Sequence, residues 1–295
     1  MVTTRAGFIA LAGRPNVGKS TLVNAIVGTK VAIVSDKPQT TRRAIRGVAT
    51  SNDLQLILVD LPGVQRPRDE LTRRMQRRVE LELSGSDAVL MMLNGAEGVG
   101  PGDRWIAAQL EQSDIPVVLA VNKVDRLRPA RIAEVLIEAA ALGVGDDIFP
   151  ISARTGDGVQ ELITHLGTLV PEGPMLFPPE DHSDQRRETL LAELVREQVL
   201  RRTFEEVPHA VEVQVEEIDE SRDDLTTVRA RVWVETESQK GILIGAGGSM
   251  IKKIGAGARK ELERELGTQV HLELAVRTRR GWRGDERLLD RLGIE

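Results

Sequence analysis

Residues 13 to 20 read Gly-Arg-Pro-Asn-Val-Gly-Lys-Ser, a spacing of glycines, lysine and hydroxyl that can cradle a run of phosphates. Gly13 and Gly18 let the backbone turn tightly, so that successive N–H groups and a helix N-terminus can point at phosphate oxygens. Lys19 supplies a cation for the β and γ phosphates, and the Ser20 hydroxyl can ligate Mg²⁺. Arg14, Pro15, Asn16, Val17 and Thr21 complete the expected contact segment. Residues 122 to 125, Asn-Lys-Val-Asp, choose the base. The Asp125 carboxylate can accept from both the N1–H and the exocyclic amine of guanine, a donor pair that adenine lacks. Asn122 would brace the loop, the stem of Lys123 would cover the base, and Ser152-Ala153-Arg154 could offer a backbone N–H to the guanine O6.

Between these peptides, Asp60-Leu61-Pro62-Gly63 ends another apolar run. Asp60 is placed to hold Mg²⁺ through water, and the Gly63 N–H to sense a γ-phosphate. Leu61 stands where such motifs usually have threonine, a change of packing more than of chemistry. Val64 follows where many GTPases carry the glutamine that orients the attacking water, so slow intrinsic hydrolysis accelerated by a partner is expected. The polar segment 35–43, Ser-Asp-Lys-Pro-Gln-Thr-Thr-Arg-Arg, reads as a switch whose Thr40 or Thr41 reaches Mg²⁺ only when a γ-phosphate is present. The expected catalytic groups are therefore Lys19, Thr40, Thr41 and Gly63, with Ser20, Thr41 and Asp60 around the metal.

These peptides must be carried by alternating elements. Apolar runs at 7–12, 54–60, 87–94, 116–122 and 147–152 predict strands, and 19–27, 71–83, 103–112, 129–142 and 159–169 predict helices. The order implies an α/β fold: a largely parallel sheet with helices on both faces, as in phosphate-loop GTPase domains, over residues 1–172. Pro171-Glu172-Gly173-Pro174 with Pro178 and Pro179 predicts a linker over 173–186. Residues 187–295 then form a smaller α+β domain: a helix at 189–202, strands at 210–217 and 226–235, a glycine-rich turn, a helix at 250–266, a strand at 269–276 and a closing tail.

In that smaller domain Ile244-Gly245-Ala246-Gly247-Gly248-Ser249 fits the GxxG turn of a type II KH domain, where glycines let a sugar-phosphate chain approach the backbone. Lys252 and Lys253 follow, and four of the eight lysines (Lys240, Lys252, Lys253 and Lys260) fall in one short segment. Residues 240–295 carry a net charge of +4 within a chain of −5, which points to a polyanion partner. Ala246 and Gly247 stand where KH loops usually place a basic residue, so one phosphate contact is missing. With 2% aromatic residues and no tyrosine, recognition through backbone and base edges is expected, not through a stacking surface.

The bulk numbers narrow the class. The 295 residues, 41% hydrophobic and 29% charged, suit two domains with substantial cores. No apolar run approaches the roughly 20 residues of a membrane span, and residues 1–12 suit a first strand better than a signal peptide, so the cytosol is the expected compartment. The absence of cysteine excludes disulfides and thiolate metal sites, and the four histidines are scattered.

By its motifs the chain resembles the Era family of bacterial GTPases. The phosphate loop is shared with related translational GTPases; Lys37-Pro38-Gln39-Thr40-Thr41-Arg42, Glu206-Val207-Pro208-His209, His271-Leu272-Glu273-Leu274, Gly281-Trp282-Arg283 and the closing Leu292-Gly293 are more particular to Era. The resemblance implies a GTPase that uses GTP, GDP and Mg²⁺, binds the 3′ end of 16S ribosomal RNA and assists 30S subunit assembly; a cytoplasmic monomer is expected. GTP would favour RNA binding and hydrolysis would release it. Family members are also described as peripheral to the cell membrane. In several related GTPases an asparagine at the position of Asn16 helps bind K⁺ beside the phosphates. Two other readings stay open at this stage: a GTPase switch with a nonribosomal partner, and a constitutive RNA-binding module whose nucleotide is only structural.

Overall fold

A computed structural model describes residues 4–37, 39–63 and 68–294. Two compact units emerge, the first made of residues 1–32, 41–66 and 75–184, the second of residues 33–40, 67–74 and 185–295. Val64, the position of the absent glutamine, and Pro38 of the switch segment lie outside the described residues.

The first unit is a six-stranded sheet: β1 (Arg5–Ala12), β2 (Ile45–Ser51), β3 (Leu54–Asp60), β4 (Ala88–Asn94), β5 (Val117–Asn122) and β6 (Ile148–Pro150), in the spatial order β2-β3-β1-β4-β5-β6. The helices are α1 (Lys19–Val27), α2 (Glu70–Ser84, its first turn grouped with the second unit), α3 (Pro101–Leu110), α4 (Pro129–Ala140) and α5 (Val159–Leu169). Both faces of the central strands are buried, which is why those strands are apolar runs without alternation. Ile9 and Leu11 of β1 join Leu90 and Met92 of β4 in one core with Leu22 and Leu166, while Ala10, Val89 and Met91 face a second core with Ile106 and Val135.

One strand escaped the sequence reading. β2 pairs antiparallel with β3 through a two-residue turn at Asn52 and Asp53. Its last three residues are not buried, and Gly47 weakens the strand pattern. That glycine is needed, because a Cβ there would meet Val23 Cγ1 of α1 at 2.6 Å. The stretch read as a linker is also more than a tether. Gln55 accepts from the Leu176 and Phe177 amides at 2.8 and 2.9 Å, Val48 donates to the His182 carbonyl at 2.9 Å, and residues up to Asp184 belong to the first unit. Its prolines predict a break in regular structure, but the backbone groups between them still find partners.

The second unit runs α6 (Arg187–Leu200), α7 (Val207–Ala210), β7 (Glu212–Arg222), β8 (Leu225–Val234), α8 (Glu237–Ile244), α9 (Ser249–Leu266), β9 (Gln269–Thr278) and α10 (Glu286–Arg291). β7 pairs antiparallel and β9 parallel with β8. Leu191, Val195 and Val199 of α6 and Ile254, Ala258 and Leu262 of α9 cover Val213, Val228, Ala230 and Val232 of the sheet. The closing residues are not a loose tail: Trp282 is fully buried, its indole N–H donates to the Ala210 carbonyl at 2.9 Å, and Leu288, Leu289 and Ile294 are buried. A tryptophan amid arginines carries no periodic signal, which is why the sequence alone does not show it. No described helix is long and apolar enough to cross a membrane.

Candidate nucleotide-binding site

The phosphate loop links β1 to α1, as its sequence context predicts. Gly13 has φ 146° and a Cβ there would strike the Met92 carbonyl at 2.6 Å; Gly18 has φ 107° and would run into the Asn122 amide. Both positions therefore require glycine. Asn16 also takes a positive φ of 63°, a conformation asparagine tolerates better than most residues. Lys19 is buried, its ammonium donating to the Gly13 and Arg14 carbonyls at 3.0 and 3.1 Å. Burial pulls its pKa down to about 8, against the opposing charge of Asp60. Thr21 follows in the first turn of α1, half-buried.

Asn122, at the end of β5, joins three separate loops. Its Nδ2 donates to the Val17 carbonyl at 2.8 Å, and its Oδ1 accepts from the Ala153 amide at 2.9 Å and the Lys123 amide at 2.8 Å. The phosphate loop, the base-selecting loop and the 152–154 loop are thus held by one buried side chain. Lys123 takes φ 70° and its ammonium donates to the Asn16 carbonyl at 2.7 Å, which draws its stem across the site. Asp125 accepts from Ser152 Oγ at 2.7 Å and from the Arg154 guanidinium at 2.5 Å, and these two partners hold its carboxyl below the usual range. From sequence Ser152 and Arg154 are expected to act through backbone; their side chains also orient the carboxylate.

Two adjacent threonines are placed differently around Asp60. Thr41 Oγ1 lies 3.1 Å from Ser20 Oγ and donates to Asp60 Oδ2 at 3.2 Å; Ser20 Oγ donates to the same oxygen at 2.6 Å. The Thr40 hydroxyl instead donates to the Lys37 carbonyl at 2.6 Å. Of the two threonines, Thr41 is the one whose hydroxyl is brought to Ser20 and Asp60. Asp60 is fully buried, and its Oδ1 has no partner among the described residues. Burial raises its pKa, with the Lys19 charge and the two hydroxyls opposing. A dry carboxylate with one free oxygen beside two hydroxyls fits a divalent cation.

Gly63 approaches the phosphate loop closely enough that a Cβ would meet Pro15 Cγ at 2.8 Å. Leu61 is fully buried in the second core, so its departure from threonine is absorbed by packing. The Arg14 side chain has partners of its own. Its Nε donates to the buried Asp103 of α3 at 2.9 Å and its Nη1 reaches Glu97 at 3.1 Å, so the guanidinium is tied to α3 and the loop before it. Nothing in the spacing of positions 14, 97 and 103 signals this.

In the second unit the GxxG turn joins α8 to α9. Gly245, Gly247 and Gly248 have φ of 70°, 57° and 79°, and a Cβ on Gly245 would meet Met250 Cβ at 2.8 Å. Ala246, Gly247 and Ser249 are partly or fully open to solvent and Lys252 and Lys253 are exposed, while Ile244 is half-buried against the core. The turn thus offers bare backbone at a helix N-terminus flanked by two cations, a fit for a phosphodiester chain.

Comparison with known proteins agrees. A family model described as 50S ribosome-binding GTPase matches residues 8–123, and a KH domain model matches residues 206–283. GTPase Era of Mycobacterium tuberculosis (strain ATCC 25618 / H37Rv) is 42% identical over 300 residues, and that of Mycobacterium avium (strain 104) is 43% identical; both alignments span 100% of each chain. Two crystal structures superpose with a TM-score of 0.95 over 99% of both chains: Era with MgGDPNP and nucleotides 1506–1542 of 16S ribosomal RNA, at 35% identity, and a point variant of Aquifex aeolicus Era bound to GDP and aluminium fluoride, at 34%. The chain belongs to the Era family of GTPases.

Proposed function

We propose that this GTPase is an RNA-coupled switch that binds the 3′ end of 16S ribosomal RNA through its KH unit and assists assembly of the 30S subunit. The observation that carries the reading is the coexistence, in one chain, of the Asn122-braced guanine site and the cation-flanked GxxG turn. A relative that superposes over nearly the whole chain holds a GTP analogue and nucleotides 1506–1542 of 16S RNA, which supports it.

Ser20, Thr41 and Asp60 would hold Mg²⁺, which neutralises phosphate charge when bound. Lys19 adds a buried positive charge, and the Gly63 amide, pressed against Pro15, is placed to register a γ-phosphate. Asp125 reads the guanine donors while Ser152 and Arg154 set its orientation. With Val64 where a water-orienting glutamine often stands, turnover by the isolated protein is slow and a partner accelerates it. Asn16 supports K⁺ beside the phosphates, a role tested by comparing hydrolysis in K⁺ and Na⁺. The same reading places the protein in the cytoplasm as a monomer, with any membrane association peripheral.

Crosslinking to total RNA with GTP, GDP or no nucleotide tests the proposal. The expected result is enrichment of the 16S 3′ end with GTP alone; equal enrichment in all three states indicates a constitutive RNA-binding module, and enrichment of other RNAs indicates a nonribosomal partner.

A further inference from the structure

Helix α6 is anomalous for a helix bearing several charges: all ten residues from Leu191 to Leu200 are buried, including Glu193, Arg196, Glu197 and Gln198. Arg196 and Glu197 are 0% exposed. Arg196 bonds Glu193 through Nη2 at 2.6 Å and Nε at 3.2 Å, and Glu212 stands 3.9 Å from its Nε. Buried charge is costly to maintain and is a poor device for stability alone, so its partners indicate what it is for.

Beyond Glu193 and Glu212, two further partners lie in the short segment 33–40, which the second unit contains. Arg196 Nη2 donates to the Thr40 carbonyl, and Glu197 accepts the Val34 amide at 3.0 Å. Ile33 is inserted into the same core as Leu191 and Val195, and the Lys37 ammonium lies 4.6 Å from the Phe204 ring centre. The segment is gripped at both ends through its backbone by two neighbouring charged residues of α6. One residue further on, Thr41 makes the hydrogen bond to Asp60 at the metal corner.

We propose that Arg196 and Glu197 form a receptor for segment 33–40, which converts the position of Thr41 into the state of the KH unit. Resting on the RNA-switch reading above, the inference assigns the residues of the coupling. The peptide is held at Arg196 while Thr41 sits beside Ser20 and Asp60, so a ligand that fixes Thr41 there also fixes the docked segment. A release of Thr41 that carries the segment away would leave the buried guanidinium without the Thr40 carbonyl, which favours an all-or-none change over a graded one. Arg196 is a positioning residue that touches neither nucleotide nor RNA in this scheme.

The test uses the full chain with Arg196→Met, and separately with Val34→Pro, which removes the amide that Glu197 accepts without altering α6. Hydrogen exchange across 33–40 is measured with GDPNP and with GDP, alongside binding of fluorescent RNA spanning nucleotides 1506–1542. The wild type should protect the segment at least tenfold more with GDPNP. Each folded variant should lose that difference, bring the RNA affinities in the two nucleotide states within twofold of each other, and keep GDP affinity within threefold of wild type. Equal protection of the wild-type segment in both states, or variants that keep the wild-type difference, overturns the inference. If Arg196→Met does not fold, Val34→Pro alone decides. Wild-type RNA affinity that ignores nucleotide, with exchange behaving as expected, overturns the proposed function and leaves the receptor standing.

Discussion

The Asn122 amide nitrogen donates to the Val17 carbonyl at 2.8 Å, across 105 positions of sequence, and binds the base-selecting loop to the phosphate loop. Its oxygen serves two further amides, so Asn122→Ala would strip three backbone groups of this partner at once, two of them in buried bonds. At about 1–3 kcal/mol for each unsatisfied group, part of it recovered by water, GDP affinity should fall by roughly 100-fold. Fluorescence titration with a labelled GDP checks this; a loss under fivefold would mean the loops hold without the brace.

Thr41→Ala and Thr40→Ala separate two side chains that look equivalent in sequence. Because only the Thr41 hydroxyl meets Ser20 and Asp60, its loss should slow single-turnover GTP hydrolysis by roughly tenfold or more. Thr40→Ala removes a bond to the Lys37 carbonyl and should leave the rate within about threefold. Equal losses in the two variants would contradict the assignment.

The Lys19 amine supplies a pH signature. Burial lowers its pKa to about 8, so at pH 8 roughly half of the free protein carries it neutral, and a bound phosphate restores the proton. GDP binding should therefore take up roughly half a proton at pH 8 and almost none at pH 6.5, and affinity should weaken as pH rises above 8. Calorimetry in buffers of different ionisation heat reads the uptake directly. Identical heats in all buffers at pH 8 would show the amine already charged in the free protein.

Much of the site was legible because its chemistry sits in contiguous peptides whose neighbours are strong strands. Gly13 to Ser20 follows β1, and Asn122 to Asp125 follows β5, so local pattern placed both. What stayed hidden depends on distant partners or on which way a side chain turns. Thr40 and Thr41 differ only in facing, Arg14 is claimed by Asp103 of α3, and β2 is an edge strand held by its pairing to β3. The 173–184 strap owes its order to Gln55 and Val48, and the buried Trp282 to the Ala210 carbonyl, partners that no spacing rule connects.

The central claim joins base selection at Asp125 to RNA binding at the GxxG turn, and one variant tests both together. Asp125→Asn replaces a pure acceptor by a side chain that also donates, which suits the additional carbonyl of xanthine in place of the guanine amine. In that variant, capture of the 1506–1542 RNA should respond to a nonhydrolysable xanthosine triphosphate and ignore the guanosine analogue, the reverse of wild type. RNA capture that still follows the guanosine analogue, or that follows neither nucleotide while both bind, would contradict the account.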